Sequence, residues 1–362
     1  MNDRNGQTEQ EMRRTPGGKA DLKSMLPQEL GLYMASVGQP AYRGRQVFRW
    51  LSQGVADFEQ MSDLPKGLRE TLAQTADIGG PRIVRKQVSK RDGTVKYRFG
   101  LADGNCVETV VMQYEHGNSV CLSTQAGCHM GCAFCASFEK GDTRNLTPAE
   151  ILDQVVFAGL DSGLPISNIV LMGSGEPLDN YDNVVQFLRL VSHEQGLHIG
   201  MRHISLSTCG LVPRIYDLAA LKLQLTLSVS LHAPKDEIRS RIMPVNNKYP
   251  LAQLMGACRD YFETTGRRIS FEYAMIAGLN DGRDCAQALC GLLRGLPCHI
   301  NLIPLNHVEG SPLMPSGRET IRRFQQYLQG RGFNATVRRS LGGDIDASCG
   351  QLRRKVMAGK KD

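Results

Sequence analysis

The sequence predicts an α/β protein: an incomplete parallel barrel of about six βα units, preceded by a small helical domain and a short antiparallel β extension. Three changes of pattern along the chain predict this class. Residues from about 20 to 76 have the spacing of amphipathic helices. Residues from about 81 to 123 form short β-rich runs. From about 124 to 343, apolar strands alternate with helical segments, which is the pattern of a parallel sheet.

The sequence divides into five predicted segments. They are a disordered tail over 1–18, a helical domain over 19–78, a β-rich connector over 79–120, a partial barrel over 121–343 and a C-terminal segment over 344–362.

The composition favours a soluble protein of a reducing compartment. Apolar residues make up 41% of the 362 residues, and no apolar run is long enough to cross a membrane. The polar stretch Met1–Gly18 lacks the apolar centre of a secretory signal. Eleven cysteines without an export signal favour the cytoplasm, and they favour metal-binding or catalytic thiols over a disulfide framework.

Positive charge is concentrated at the two ends of the chain, whose net charge is +7. The first 100 residues hold 17 Lys and Arg against 11 Asp and Glu, and residues 331–362 hold 8 against 3. This distribution suits peripheral segments that bind an anionic macromolecule, but it also suits ordinary solubilising charge.

The helical domain is predicted from two segments. Arg43, Arg45 and Arg49 give one helix a basic face, and the neighbouring Trp50 is expected in the core. A second helix is expected to begin near Asp63, whose side chain is a favourable N-cap.

A hairpin signal marks the β extension. Asp92-Gly93 separates two β-rich runs, and this dipeptide is preferred in tight hairpin turns. The expected strands are 83–88, 95–99, 106–112 and 119–122.

Within the barrel, a helix is expected to begin at Thr147, where Thr147–Glu150 supplies an N-cap, a proline at N1 and a capping-box glutamate. Each later strand ends in small or polar residues, where α/β sheets bind their ligands. The expected strands are 169–172, 203–207, 223–229, 269–273, 299–303 and 335–337.

Cys128, Cys132 and Cys135 form a C-x3-C-x2-C motif in one short loop. Three thiolates so close can hold three corners of a 4Fe–4S cluster and leave one iron free for a small molecule. This spacing resembles the cluster loop of radical S-adenosylmethionine (SAM) enzymes, in which the open iron binds the amino and carboxylate groups of SAM. The alternatives are a zinc site, which normally takes four ligands, and unconnected buried thiols.

Other strand ends carry candidates for binding the same molecule. In Gly173–Pro177 the glycines admit a ligand to the backbone, and Glu176 can accept hydrogen bonds from a cationic amine. A tight turn explains this stretch equally well when it is taken alone. Later strand ends carry Ser207, Ser230, His232 and Asn306, each of which is also typical of a turn or cap.

Two thiols differ from the remaining cysteines in their setting. Cys121 lies on the strand that leads into the cysteine loop, and Cys349 lies in the small-residue segment Gly342–Gly350. A mobile cysteine between glycines suits a nucleophile or carrier. Without the other motifs, each is also explained as a structural thiol.

In combination, these motifs resemble the RlmN/Cfr family of radical-SAM RNA methyltransferases, from about residue 25 to the end. The matching segments occur in the family's order. They are Pro40–Trp50, Asp63–Leu68, Val107–Val110, Cys121–Cys128, Arg144–Thr147, Met172–Leu178, Ser230–Pro234, Arg241–Val245 and Asp344–Leu352.

The resemblance implies methylation of an adenine ring carbon in 23S rRNA, and in the RlmN branch also in some tRNAs. It implies a 4Fe–4S cluster on Cys128, Cys132 and Cys135, and two SAM molecules per turnover. Cys349 would take a methyl group from the first SAM and become S-methylcysteine. A radical made from the second SAM would activate that methyl group for addition to adenine. Cys121 would then resolve the RNA–protein adduct and form a disulfide with Cys349.

The remaining roles also follow from the resemblance. Glu108, in the family's Val-Glu-Thr-Val stretch, would accept the adenine proton. The helical domain and Arg353–Lys355 would bind folded RNA by its shape. An electron-donating redox protein would be a further partner, whereas DNA and membranes would not. The SAM contacts would be Gly175, Glu176, Ser207, Ser230, Leu231, His232 and Asn306.

Pro177 resembles the RlmN branch, which methylates adenine C2, more than Cfr proteins, in which Ala is common here and C8 is methylated. Methylation of C8 is one alternative. A second is a radical-SAM enzyme with another substrate, in which Cys121 and Cys349 are bystanders. A third is a non-catalytic Fe–S protein that binds RNA and senses redox state.

Overall fold

A computed structural model describes residues 14, 15, 17–138, 143–306, 311–352 and, as backbone, 355 and 356. The predicted tail lies almost entirely outside the described residues. Arg353, Arg354 and the side chain of Lys355, from the predicted basic C-terminal stretch, also lie outside them.

The described helices are α1 (Pro27–Ser36), α2 (Arg43–Ser52), α3 (Lys66–Thr75), α4 (Pro148–Ser162), α5 (Tyr181–Ser192), α6 (Val212–Ala220), α7 (Asp236–Ile242), α8 (Leu251–Thr265), α9 (Arg283–Leu292) and α10 (Arg318–Gly330). The strands are β1 (Ala20–Asp21), β2 (Ala76–Asp77), β3 (Arg82–Val88), β4 (Val95–Gly100), β5 (Asn105–Tyr114), β6 (Gly117–Cys121), β7 (Gln125–Ala126), β8 (Arg144–Asn145), β9 (Ile166–Leu171), β10 (Ile204–Thr208), β11 (Thr226–Ser230), β12 (Ile269–Met275), β13 (Cys298–Pro304), β14 (Asn334–Val337) and β15 (Lys355–Val356).

Seven parallel strands form the barrel part of one continuous sheet. Their order is β6, β9, β10, β11, β12, β13 and β14, and every neighbouring pair is parallel. Helices connect successive strands, as parallel pairing requires. The predicted α/β barrel with about six βα units is therefore confirmed. Strand β10 begins one residue later than predicted because a 3-10 turn occupies 201–203, and β11 begins three residues later, after the left-handed Lys222.

The β extension continues the barrel sheet beyond β6. Strands β3, β4 and β5 pair antiparallel in hairpin order, and β5 pairs antiparallel with β6. Gly93 has a φ of 73°, which suits the turn predicted between β3 and β4. Strand β15 returns to pair with β5. The extension and the C-terminal segment therefore lie beside the strand that carries Cys121.

Buried polar contacts join the N-terminal segment to the barrel. Lys23 Nζ lies 2.9 Å from Asp153 Oδ1 on α4, and both side chains are buried. Ala149 N–H donates to Ser24 Oγ at 3.1 Å. The apolar side chains of the N-terminal helices belong to the same hydrophobic core as those of the barrel.

The predicted N-cap at Asp63 is wrong. Helix α3 begins at Lys66 with Pro65 in the N-cap position, and Asp63 instead accepts a hydrogen bond from Trp50 Nε1 at 2.5 Å. The indole is half-buried against the core. Within the described residues, no helix has the length and apolar character needed to cross a membrane.

Candidate active site

A cavity opens at the carboxyl ends of the barrel strands. Parallel strands end at the same edge of a sheet, so residues that are distant in the chain meet there. Ten of the thirteen residues predicted for the site line this cavity. They are Cys128, Cys132, Cys135, Gly175, Glu176, Ser207, Ser230, His232, Asn306 and Cys349.

The three cysteines of the motif lie together on the cavity wall in an irregular loop. Gly131 has a φ of 73°, a left-handed conformation that glycine adopts without strain. Cys135 N–H donates to Cys132 O at 3.1 Å, which closes a tight turn. Burial raises the pKa of Cys128 to about 12 and also raises the pKa of Cys132 and Cys135. Nearby positive charge, such as that of a metal, would favour the thiolate forms.

The turn after β9 approaches the segment after β6 at backbone distance. A Cβ on Gly173 would lie 2.5 Å from Leu122 O. Gly175 has a φ of 102°, and its Cβ would lie 2.6 Å from Gln125 Cβ. Only glycine therefore fits at these two positions, which set the shape of this side of the cavity.

Glu176 is oriented by backbone donors. Its Oε1 accepts from Leu178 N–H at 3.0 Å, and its Oε2 accepts from Cys209 N–H at 2.7 Å. Burial raises the pKa of this carboxyl despite those bonds. The side chains of Cys209 and Thr208 also bond to it, and from the cavity wall the carboxylate can pair with a cationic ligand amine.

His232 presents a neutral imidazole to the cavity. Burial, followed by the charge of Arg239, lowers its pKa to about 3. Its Nδ1 accepts from Ala274 N–H at 2.9 Å, so the ring proton lies on Nε2. Phe134 from the cysteine loop packs edge-on against the ring at 4.6 Å between centroids.

A second cavity is lined by Cys121 and also by Cys349. Cys349 therefore contributes to both cavities. Burial, followed by the negative charge of Cys349, raises the pKa of Cys121 to about 12. Both are free thiols in the structure. The two thiols line one cavity, and the disulfide that the resemblance implies stays a prediction.

Two family models match the chain. The Radical SAM superfamily matches residues 122–285, and the ribosomal RNA large subunit methyltransferase N-terminal domain matches residues 20–78. A probable dual-specificity RNA methyltransferase RlmN of Desulforamulus reducens is 50% identical over 345 residues, 95% of this chain and 99% of the relative. A second, of Pelotomaculum thermopropionicum, is 52% identical over 342 residues, 94% and 93% of the two chains. The chain belongs to the RlmN family of radical-SAM RNA methyltransferases.

A solved structure supports the same relationship at the level of the fold. The crystal structure of a radical SAM methyltransferase from Sphaerobacter thermophilus has a TM-score of 0.88 and 45% identity, and it covers 92% of this chain and 98% of its own. As a member of the RlmN family, the chain is a SAM-dependent RNA methyltransferase. The alternative of a non-catalytic Fe–S protein is therefore not supported.

The cysteine loop fits the 4Fe–4S cluster that the RlmN family implies. Its three thiols line one cavity, and the apolar side chains of Met130 and Phe134 pack beside Cys132. In the described part of the chain, no three His, Cys, Asp or Glu side chains form a site for a single metal ion. The cysteines of a cluster bind different iron atoms, so they need no common point.

Glu108 lines neither of the two cavities. It lies on β5, 2% exposed, with Oε2 3.2 Å from Lys96 Nζ and Oε1 3.6 Å from Arg98 Nη2. Residues two apart in a strand share a face, and Val110 and Met112 pack with Cys121 in one cluster. Glu108 therefore lies on the face of the sheet where Cys121 and the C-terminal segment lie.

Leu231, a SAM contact according to the family resemblance, does not line the cavity and lies behind its wall. Its side chain is fully buried in the hydrophobic core, because successive residues at a strand end point to opposite sides and Ser230 takes the cavity side. The Leu231 N–H donates to Glu272 O, and its carbonyl accepts from Arg239 Nε. Two polar side chains that line the cavity, those of Ser207 and Ser230, lie on neighbouring strands with their hydroxyl oxygens 3.5 Å apart.

Glu272 and Arg338 also line the cavity, although neither was predicted from the sequence as a site residue. Glu272 Oε2 accepts from Asn301 Nδ2 at 2.8 Å and lies 3.8 Å from Arg338 Nη1. Burial raises the pKa of Glu272, and the negative charge of Cys349 raises the pKa of Arg338. A carboxylate within an otherwise apolar strand was the available signal for Glu272.

Proposed function

We propose that this enzyme methylates adenine C2 in 23S rRNA and in tRNA through an S-methylcysteine at Cys349. One observation carries the proposal: Cys349 lines the cavity of Cys128, Cys132 and Cys135 and also the cavity of Cys121. A methyl carrier needs access to the SAM site and to the thiol that resolves the adduct, and this position provides both. The relatives named as dual-specificity RNA methyltransferases support two classes of RNA substrate.

Cys349 acts first as a nucleophile. Its sulfur attacks the methyl carbon of one SAM, the methyl–sulfonium bond breaks, and S-adenosylhomocysteine leaves while the thiol proton is lost. When bound, the cluster and a second SAM supply the radical that removes hydrogen from this methyl group. This gives two SAM molecules per turnover.

The chain's other residues complete the transfer. The methylene radical on Cys349 would add to adenine C2, and the adduct would lose one electron to the bound cluster as Glu108 accepts the C2 proton. The Cys121 thiolate then attacks the Cys349 sulfur, the sulfur–carbon bond breaks, and the released carbon takes up a proton to complete the methyl group on the RNA. The Cys121–Cys349 disulfide then returns to two thiols by accepting electrons from a redox protein. Gly175, Glu176, Ser207, Ser230, His232 and Asn306, together with the Leu231 backbone, hold SAM during both uses.

The helical domain over 19–78 supplies the RNA contact in this proposal. Arg45 and Arg49 are exposed and lie one turn apart on α2, opposite its buried Val47 and Phe48. Folded RNA presents phosphates to such a surface, and the target adenine must be unstacked to reach the cavity. We place the enzyme in the cytoplasm, because a reducing compartment keeps eleven cysteines as thiols.

The experiment is mass spectrometry of purified, nuclease-treated protein followed by nucleoside analysis of the RNA. We expect a gain of about 14 Da, one methylene, on the Cys349 peptide, and 2-methyladenosine in 23S rRNA and tRNA. The Cys349→Ala variant should lose both signals, whereas Cys290→Ala, outside both cavities, should keep both. Product from Cys349→Ala would reject the carrier, and 8-methyladenosine would establish the Cfr-type alternative.

A further inference from the structure

Lys96 is a buried ammonium with two partners that belong to different parts of the site. It lies on β4 and is 6% exposed. Its Nζ lies 3.2 Å from Glu108 Oε2 and donates to Asp346 O at 2.9 Å. Asp346 precedes Cys349 by three residues, so one side chain touches the proposed proton acceptor and the segment of the proposed methyl carrier.

The β3–β4 hairpin holds the same segment through further hydrogen bonds. Asp344 Oδ1 accepts from Ser89 Oγ at 2.7 Å, and Asp344 Oδ2 accepts from Lys90 N–H at 3.1 Å. Asp92 Oδ2 accepts from Gly342 N–H at 2.9 Å. The β extension therefore holds the turn before Cys349 in place.

The cysteine loop holds the segment from its other end. Ala136 N–H donates to Gly350 O at 2.8 Å, and Ser137 Oγ donates to Leu352 O at 2.7 Å. Cys349 thus lies between two anchors. Cys349 has to serve SAM, RNA and Cys121 in turn during each cycle, and these anchors determine how far its segment can move.

We propose that Lys96 is a positioning residue that couples the charge of Glu108 to the docking of the Cys349 segment. While Glu108 is a carboxylate, the ammonium is paired and its bond to the Asp346 carbonyl holds the turn in place. When Glu108 takes up the adenine proton, Lys96 loses its buried counter-charge and keeps the exposed Asp346 carboxylate as a counter-charge; a poorly paired buried charge is unfavourable. The contact with Asp346 then weakens, and the segment is released at the step in which Cys121 attacks the Cys349 sulfur.

This inference rests on the proposed function, because it takes Glu108 as the proton acceptor. Arg98 Nη2 also lies near Glu108, 3.6 Å from Oε1. Lys96, in addition, bonds directly to the C-terminal segment through the Asp346 carbonyl. The coupling therefore runs through Lys96.

The test is backbone hydrogen exchange of the 342–352 peptide in the cluster-loaded enzyme. Glu108→Gln mimics the protonated carboxyl. Lys96→Met and Glu108→Gln should each speed exchange by about tenfold, since each removes one partner of the Lys96–Glu108 ion pair. Lys96→Arg should restore slow exchange. Lys86→Met is the matched control. Lys86 lies on the neighbouring strand β3, and its Nζ pairs with Asp161 Oδ2 of α4 at 2.6 Å.

The double variant decides between coupling and simple destabilisation. In our proposal Lys96→Met adds nothing to Glu108→Gln, because both break one linkage. Ser89→Ala removes the hydrogen bond to Asp344, which does not involve Glu108. Its effect on the exchange rate should therefore add to that of Glu108→Gln. Additive effects of Lys96→Met and Glu108→Gln, or unchanged exchange in Lys96→Met, would overturn the proposal. Mass spectrometry of Cys349 in the wild-type enzyme tests the proposed function separately, since its methylation does not depend on the exchange result.

Discussion

Asn306 donates a hydrogen bond from Nδ2 to the carbonyl of Cys349 at 3.0 Å, and both residues line both cavities. The residue that the family resemblance implies as a SAM contact is therefore also an anchor of the proposed methyl carrier. Residues 306 and 349 are brought together because β13 ends at the cavity edge and the chain crosses back after β14.

Removing this bond should loosen Cys349. Asn306→Ala and Asn306→Asp both lose the donor, and a single hydrogen bond is worth about 1 kcal/mol, or about fivefold in population. We expect faster hydrogen exchange at Cys349 and Gly350 without SAM present, and slower methylation of Cys349. If exchange is unchanged in both variants while methylation falls, the residue acts only on SAM.

Arg239 should be a large contributor to the stability of the site. It is fully buried and donates to the carbonyls of Leu231, Cys209 and Ser230 and to Asn246 Oδ1. Lysine has one charged nitrogen and lacks the fork that reaches these acceptors. Arg239→Lys should lower the free energy of unfolding by about 3 kcal/mol, as measured by urea denaturation.

The control for that substitution is Arg214→Lys. Arg214 is half-exposed and pairs with Asp217 three residues on in α6, so the change should stay within about 0.5 kcal/mol. Equal losses in the two variants would contradict a special role for Arg239.

His232 should make stability depend on pH below neutrality. Its pKa is lowered to about 3 in the folded chain, against about 6.5 when unfolded. Between these values the unfolded chain binds more protons, so stability is fully present above pH 6.5 and is lost as the pH falls. The loss approaches about 1.4 kcal/mol per pH unit, or about 2 kcal/mol from pH 6.5 to 5.

His232→Asn should remove this component. Asparagine keeps an acceptor for Ala274 N–H and tolerates the left-handed φ of 56° at this position. Urea denaturation of the reduced, cluster-free protein at pH 7.5 and 5.0 measures the effect. A variant with the same acid sensitivity as the wild type would place the titrating group elsewhere.

Gly175→Ala should disrupt the SAM cavity. The added Cβ would lie 2.6 Å from Gln125 Cβ and 2.7 Å from Gln125 N in a backbone with φ of 102°. We expect loss of SAM binding by calorimetry. Gly278 also has a positive φ, 68°, but open space around its Cβ, so Gly278→Ala should bind SAM normally. SAM binding retained in Gly175→Ala would show that the turn can shift.

Local patterns predicted the elements of this chain well because their determinants are local. Alternation of apolar strands with helices indicated six βα crossovers, and Asp92-Gly93 indicated the β3–β4 hairpin. The Asp63 cap failed for a non-local reason: Trp50, thirteen residues earlier, takes that carboxylate as its acceptor.

The cysteine spacing and the ordered motifs were sufficient, by themselves, to determine the family, the barrel and ten of the residues that line its cavity. Only the tertiary structure decided which side chains share an environment. It placed Cys349 in both cavities, Glu272 beside Arg338, and Lys96 between Glu108 and the Asp346 carbonyl. The physical reason is that the residues of a short motif are held together by their spacing in the sequence. Buried charges, in contrast, are paired across different strands, and the order of the strands in the sheet and the return of the C-terminal segment decide which charges meet. No local sequence pattern specifies either of these.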